Sequence, residues 1–312
     1  MNHIKPHYRR LFSILLLLVV FNFSCTDNGK KQFEADSPKN GTIHISVDET
    51  FKPVIDEQLK VYHAAFPNTN IIVDYKPEAD CFRDLKLDST RMVIVAKGLS
   101  KQEAEYYKSY LTYYPAFQTV AYDAVAVILN IDNPDSTYTL DKLKDILTGK
   151  KDITAVMDGN NATSTVRFLN DSVMHKLPFG KNVVSAGGSE KVIDYVTKNK
   201  NAIGFVGLSW IGNTYEPKQQ EMLKQVKLAL VECKTCEEKD MFAKPSQATI
   251  TYMQYPLARP LFYILKENYA GLGTGFINFM ELERGQLIFR RSCLAPAKMN
   301  FIKRTTKIKE EE

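Results

Sequence analysis

Strand-like and helix-like stretches of apolar residues alternate along most of the chain. The segment GTIHISVD alternates apolar and polar positions and predicts a first strand over 42–47. FKPVIDEQLKVYHAAFP follows with apolar residues close to helical spacing, between one proline that suits a first helical turn and another that ends the helix. Because strands and helices continue to alternate, the pattern predicts an α/β fold with a mainly parallel sheet.

The same pattern places the later elements. Strands are predicted at NIIVDY, MVIVA and TVAYDAVAVILN, and helices at DCFRDLKL, SKQEAEYYKSYL, TLDKLKDILTG, about 164–175 and about 272–283. The section that contains EKVIDYVTKN, NAIGFVGLSW, VKLALVEC and TITYMQYPLARPLFYIL is predicted to be rich in strands. No repeat of 20 to 50 residues interrupts this order.

The N-terminus has the order of a secretory signal. A basic start, MNHIKPHYRR, precedes an apolar run of 11 residues, LFSILLLLVVF, and then NFSC. A membrane-spanning helix needs about 20 apolar residues, so the run is too short for one. We expect a signal peptide at 1–24, a lipid attached to Cys25 and a flexible tether at 25–40. The alternatives are a plain signal peptide or an N-terminal anchor with an incidental cysteine, since Asn22 stands where Leu is typical of a lipoprotein signal.

Charge and cysteine content narrow the class of protein. Removal of 1–24 takes away three basic residues, which leaves 38 basic and 36 acidic ones and argues against a nucleic-acid binder. The CKTC at 233–236 has no second CxxC and no nearby histidine, so no metal is expected there. A local disulfide or two free thiols remain the alternatives, and the pairing of Cys81 and Cys293 stays open. No catalytic motif is present, and neither an enzyme nor a cofactor is expected.

The stretch DGNNATSTVRFL at 158–169 is the main candidate for chemistry. It offers several small hydrogen-bonding side chains and then Arg167, where an apolar helical run begins. Such hydroxyls often cap the first turn of a helix. The same hydroxyls, the free amides of that turn and a guanidinium also suit a bound oxyanion. The stretch alone leaves both interpretations open.

Five stretches, in order, resemble the substrate-binding protein of the bacterial phosphate ABC transporter. They are AYDAVAVILNIDNP, YTLDKLKDILTGK, NAIGFVGLSW, YPLARPLFYIL and CLAPAK. The resemblance covers nearly the whole chain beyond the signal. It implies a two-lobed periplasmic-binding-protein fold of type 2, in which crossover strands form a hinge and each lobe is a mainly parallel sheet flanked by helices. The expected organisation is lobe 1 at 41–121 and 255–300, lobe 2 at 122–254 and a charged tail at 301–312.

The resemblance also implies ligand-binding residues. Thr50 and Phe51 correspond to the family's first loop. Ser164 and Arg167 align with the Ser and Arg of its GSGTR-like segment, with Thr165 in place of the glycine. That glycine lets the backbone approach an anion closely, so the substitution weakens the case for amide contacts.

Two further positions are expected to place a charged side chain against the ligand. Lys97, in VAKGL, stands at the charged position of the third loop and offers a point charge. Asp80, in the altered second loop PEADCF, is the candidate acceptor for the proton of monohydrogen phosphate, and Glu78 is the second candidate. A carboxylate there would favour phosphate over sulfate, which has no proton to donate. Ordinary solvated charges are the alternative for all three residues.

The resemblance predicts a monomeric, lipid-anchored binding protein at the periplasmic face of a bacterial membrane. It would capture inorganic phosphate by lobe closure and present it to the membrane permease of an ABC transporter. Because the loops are altered, the alternative is a related lipoprotein that binds another small anion or serves a signalling or structural role.

Overall fold

A computed structural model describes residues 36–299 of the chain. The signal peptide, Cys25, most of the tether and the tail at 301–312 lie outside these residues, and the expectations about them stay predictions. None of the helices within 36–299 is long and apolar enough to cross a membrane.

The strands and helices alternate in the predicted manner. The strands are β1 Gly41–Asp48, β2 Thr69–Lys76, β3 Thr90–Val95, β4 Ala116–Asn130, β5 Thr137–Tyr138, β6 Thr154–Met157, β7 Val183–Ser185, β8 Ala202–Gly207, β9 Val226–Leu228, β10 Leu230–Glu232, β11 Phe242–Ala243, β12 Ala258–Leu265 and β13 Ala295–Pro296. The helices are α1 Lys52–Ala65, α2 Glu78–Asp84, α3 Lys101–Leu111, α4 Leu140–Leu147, α5 Ser164–Ser172, α6 Ser189–Lys198, α7 Pro217–Leu223, α8 Gln247–Thr251, α9 Leu272–Glu281 and α10 Glu283–Arg291. Short 3₁₀ turns occupy Glu49–Phe51 and Leu208–Trp210.

The long strand β4 joins two groups of parallel strands. The sheet has the order β2-β1-β3-β12-β4-β8-β6-β7. β1 pairs in parallel with β2 and β3, and β6 pairs in parallel with β7 and β8. The first half of β4 pairs antiparallel with β12, and its second half pairs antiparallel with β8 and β9. Antiparallel crossover strands between two parallel groups confirm the predicted fold class.

The described residues form three hydrophobic clusters, and the two larger ones divide at β4. Ala121 and the residues before it pack with Ile45, Met92 and Phe276, and we call this part the first lobe. From Ala124 onward the strand packs in a second core, whose part of the molecule we call the second lobe. Successive strand residues are buried in both lobes, so helices cover each part of the sheet on both faces, which is the layered arrangement of an α/β chain. The boundaries at 41–121, 122–254 and 255–300 stay predictions.

Four helices of the described residues were not predicted, namely α6, α7, α8 and α10. EKVIDYVTKN lies in helix α6 rather than among strands, because Val192, Ile193 and Val196 recur at helical spacing and are buried together. The residues after 283 form a further helix, α10, that was not predicted. Gly285 obscured it in the sequence. The glycine is needed because a Cβ there would collide with the backbone of Phe279 and Met280 at the end of α9.

The CKTC segment forms a local disulfide between Cys233 and Cys236, which is one of the two alternatives left open. It lies between β10 and β11. Cys81 and Cys293 are free thiols, and burial raises the pKa of both. The described thiols outside the disulfide are therefore poor nucleophiles at neutral pH.

Candidate functional site

The side chains of Thr50 and Ser164 meet between the two lobes. Thr50 lies in the 3₁₀ turn that follows β1, and Ser164 is the first residue of α5. Their Oγ atoms are 3.3 Å apart, and the two residues are 1% and 0% exposed. The lobes are therefore closed on each other here, and two of the predicted site residues lie together.

Asp48 supports Thr50 and keeps one oxygen free. Its Oδ1 accepts hydrogen bonds from the amide and from the hydroxyl of Thr50, at 3.1 and 3.0 Å. Its Oδ2 is buried and makes no hydrogen bond of full geometry within 36–299, although the Ser164 hydroxyl lies close enough to lower the pKa of Asp48. Burial, followed by the nearby charge of Glu78, raises the pKa of Asp48 to about 7. An unpaired buried acceptor is costly, so this oxygen suits a ligand that brings a proton.

The helix cap in the DGNNATSTVRFL stretch is Thr163. Its hydroxyl accepts from the amide of Val166 at 3.4 Å and donates to Asp158 Oδ1 at 2.7 Å. Within the described residues Thr165 Oγ1 and Asp158 Oδ2 make no hydrogen bond of full geometry, but the Thr165 hydroxyl lies close enough to Asp158 to lower the pKa of that carboxyl. Burial raises the pKa of Asp158. One threonine thus accounts for the cap and leaves the hydroxyls of Ser164 and Thr165 for another use.

Arg259 forms a fully buried ion pair with Asp123 behind Ser164. Its Nε and Nη2 donate to Asp123 Oδ2 at 3.1 and 3.0 Å, and both side chains are 0% exposed. Its Nη1 donates to Ser164 Oγ at 3.0 Å, and the Phe51 ring lies 5.1 Å from its Cζ. Burial raises the pKa of Asp123, which Arg259 opposes. The side chain of Phe51 therefore lies in the first core, under the guanidinium.

Arg167 donates two hydrogen bonds to Glu78 from one edge of its guanidinium group. Its Nε lies 2.5 Å from Glu78 Oε2, and its Nη2 lies 3.1 Å from Oε1. The amide of Ala96 also donates to Oε1, at 3.0 Å. Burial alone would lower the pKa of Arg167. The hydrogen bond and the charge of Glu78 raise this pKa by more, so it lies above its ordinary value. Arg167 is a permanent cation whose bidentate edge holds a carboxylate in this closed form.

Other contacts also bridge the lobes. The amide and hydroxyl of Ser189, at the start of α6, donate to the carboxylate of Glu49 at 3.2 and 2.9 Å. Ser209 Oγ donates to the carbonyl of Thr50 at 2.8 Å. The amide of Ala79 donates to the carbonyl of Ala162 at 3.0 Å. Closure therefore rests on backbone and side-chain bonds around the whole cleft.

Asp80 and Lys97 contact groups other than these. Asp80 pairs with Arg83 one turn along the same helix. The Nζ of Lys97 lies 3.4 Å from Glu103 Oε1 and 4.8 Å from the centre of the Phe82 ring. Within 36–299 neither side chain is bonded to Thr50, Ser164 or Arg167, and their roles as ligand residues stay predictions. The acid that reaches Arg167 is Glu78, the second candidate from the sequence.

We call the buried and half-buried groups between the lobes the interlobe cluster. Its members are Asp48, Thr50, Glu78, Asp123, Asp158, Ser164, Thr165, Arg167 and Arg259. No set of three metal-binding side chains occurs in the described residues. Hydroxyls, guanidinium groups and buried carboxylates together suit a small oxyanion that still carries a proton. The hydroxyls and guanidinium groups donate to its oxygens, and a carboxylate accepts its proton.

The acids Asp48 and Asp123 and the base Arg259 were not singled out from sequence. Asp123 and Arg259 stand within or beside apolar strand segments, in AYDAVAV and LARPLFYIL. Charged residues there are buried only when they are paired, which was the available signal. Asp48 gave no such signal, because a carboxylate directly after a strand is typical of a turn.

The sequence is similar to that of known binding proteins. A sequence model of the PBP superfamily domain matches residues 34–283. The "Phosphate-binding protein PstS" of Staphylococcus haemolyticus is 25% identical over 233 residues, which are 70% of this chain and 68% of that protein. Its namesake from Staphylococcus aureus (strain bovine RF122) is 30% identical over 188 residues, which are 54% of this chain and 52% of that protein.

Solved structures share the fold. A putative phosphate ABC transporter substrate-binding protein from Clostridium perfringens, solved with bound phosphate, superposes with a TM-score of 0.66 at 21% identity, over 83% of this chain and 100% of that one. An ABC-type phosphate transport receptor from Vibrio cholerae superposes with a TM-score of 0.60 at 17% identity, over 81% of this chain and 99% of that one. The family match covers most of the sequence, and the chain belongs to the PBP superfamily.

Proposed function

We propose that this protein captures inorganic phosphate between its two lobes and presents it to the permease of an ABC transporter. It is a binding protein rather than an enzyme, and it works outside the cytoplasm. The names of its relatives, which include phosphate-binding proteins, support this assignment. We further propose that it acts as a monomer, held at the periplasmic face of a bacterial membrane by a lipid on Cys25.

One observation carries the proposal. Thr50 from the first lobe and Ser164 from the second lie 3.3 Å apart in a buried cluster that also holds Arg259 and Arg167. Once the Thr50 hydroxyl turns from Asp48 to the ligand, a hydroxyl from each lobe and a guanidinium behind them would form a convergent donor set for a tetrahedral oxyanion. Binding there would couple ligand capture to lobe closure, because each lobe supplies half of the donors.

The buried carboxylates support phosphate over sulfate. Asp48 Oδ2 and Asp158 Oδ2 are buried and make no hydrogen bond of full geometry within 36–299. Phosphate carries at least one proton at neutral pH and satisfies such an acceptor, whereas sulfate is fully ionised and would be repelled. We therefore propose Asp48 or Asp158 for the proton-accepting role, in addition to Asp80 and Glu78, the candidates from the sequence. The same feature would admit another small oxyanion, provided that it bears a hydroxyl.

The hydroxyl donors are tested by Thr50→Val and Ser164→Ala. We expect each change to weaken phosphate binding by about 10-fold or more, because a buried hydrogen bond to a charged group contributes about 1.5–3 kcal/mol. Calorimetric titration of the purified protein with phosphate measures the effect. Thr148→Val is the matched control, since that hydroxyl bonds the carbonyl of Lys144 at the end of its own helix. If both cleft variants bind like the control, these hydroxyls do not contact the ligand.

A further inference from the structure

The bidentate edge of Arg167 is already occupied in the closed protein. Its Nε and Nη2 hold the two oxygens of Glu78 at 2.5 and 3.1 Å, and its Nη1 lies 3.5 Å from Asp171 Oδ2. A paired donor edge of this kind recognises planar carboxylates and phosphate oxygens with the same geometry. The carboxylate of Glu78 therefore takes the position that an oxyanion ligand would take on this edge.

Glu78 is held in this position from the opposite lobe. It begins α2 in the first lobe, whereas Arg167 lies on α5 in the second. The amide of Ala96 fixes its Oε1, and the residue is 3% exposed. The next residue, Ala79, donates its amide to the carbonyl of Ala162 across the cleft. The Glu78–Arg167 ion pair is therefore held by surrounding hydrogen bonds and links the two lobes, unlike an ion pair between two exposed side chains.

The charges of the cluster leave no spare cation for an anion while this pair persists. Asp123 neutralises Arg259, and Glu78 neutralises Arg167. Asp48 and Asp158 add further buried acid. An oxyanion that entered beside all four carboxylates would meet net repulsion in a poorly hydrated cleft. If Glu78 leaves, the Arg167 edge becomes available to the oxyanion.

We propose that Glu78 is a built-in competitor of the ligand, which sets the affinity of the site by occupying Arg167 until an oxyanion displaces it. This inference rests on the proposed phosphate site. The protein exchanges one carboxylate for another anion on the same guanidinium edge. The apparent affinity then depends on the fraction of molecules in which that edge is free. The same pair gives the ligand-free protein a means of closing its lobes.

The test is the titration of Glu78→Gln with inorganic phosphate by calorimetry. The amide keeps the size of the side chain and an acceptor for Ala96 but removes the charge that competes for Arg167. We expect the variant to bind phosphate about 10-fold more tightly than the wild-type protein. Asp84→Asn is the matched control: it removes the same charge from the same helix, and that carboxylate contacts Lys76 and Ser46 within the first lobe. Its affinity for phosphate is expected to stay within about 2-fold of wild type.

A second measurement follows the lobes directly. Small-angle X-ray scattering of the ligand-free proteins is expected to show a more open Glu78→Gln variant, which becomes compact when phosphate is added. If wild type binds phosphate and Glu78→Gln binds it equally or more weakly, Glu78 supports the ligand or is neutral, and the competition is refuted while the phosphate site stands. If wild type and Glu78→Gln both fail to bind phosphate, the proposed function itself is wrong and the competition with it.

Discussion

Replacement of Arg259 by leucine is expected to lower the free energy of unfolding by about 3–5 kcal/mol, the cost of leaving a buried charge without its partner. Asp123 and Arg259 are both fully buried, and Asp123 also accepts the amide of Leu208 at 3.1 Å. The variant leaves the carboxylate of Asp123 buried without its partner, and it removes the hydrogen-bond donor to Ser164. Urea denaturation followed by circular dichroism measures the change.

Two further variants separate charge pairing from packing. Asp123→Asn combined with Arg259→Leu is expected to recover much of the lost stability, because neither partner is then charged and the asparagine still accepts the amide of Leu208. Arg83→Leu is the exposed control. Its side chain is 75% exposed, so the loss of its pair with Asp80 is expected to cost at most about 1 kcal/mol. A cost below about 1 kcal/mol for Arg259→Leu would show that the buried pair does not stabilise the fold in this way.

Replacement of Arg167 by alanine is expected to weaken phosphate binding by about 100-fold. In the proposed complex the ligand takes two charge-assisted hydrogen bonds from this side chain, and the loss of both corresponds to that factor. Arg167→Lys is expected to bind at an intermediate level, because lysine keeps the charge but cannot donate in the bidentate geometry. Calorimetric titration measures all three proteins.

The control for this series is Arg284→Ala. Arg284 is an exposed arginine of α10 in the first lobe, and its removal subtracts the same charge from the protein. Each variant is first compared with wild type by urea denaturation, so that a weakened fold is not mistaken for a weakened site. Equal phosphate affinity of Arg167→Ala and Arg284→Ala would remove Arg167 from the site.

The fold was predictable because its signals are local and repeated. The alternation of strand and helix patterns, with the ordered motifs from AYDAVAVILNIDNP to CLAPAK, was enough to predict the two-lobed class. Four helices were missed, and those at EKVIDYVTKN and after 283 show the reason. The first lies beside strand segments of similar composition, and the second contains a glycine that packing against α9 requires. Both helices depend on tertiary packing, which a local sequence pattern does not show.

The site was predictable only in part. Thr50, Ser164 and Arg167 carry side chains that suit an anion, and the structure places them around one cleft. Which acid would face Arg167 depended on the register of α2, where Glu78 points inward and Asp80 turns toward Arg83. Two carboxylates two positions apart on a short helix cannot be told apart from the sequence, although their side chains point to nearly opposite sides of the helix. The pairing of Asp123 with Arg259 spans distant parts of the chain and becomes visible only when β4 and β12 are side by side.

The central claim is that the cleft binds phosphate and rejects sulfate, and titration calorimetry of the purified wild-type protein with each anion tests it most directly. The account predicts saturable binding of one phosphate and an affinity for sulfate at least about 100-fold lower, since a buried acceptor left without its proton costs several kcal/mol. Equal binding of the two anions, or no binding of phosphate by protein that is folded and free of ligand, would contradict it.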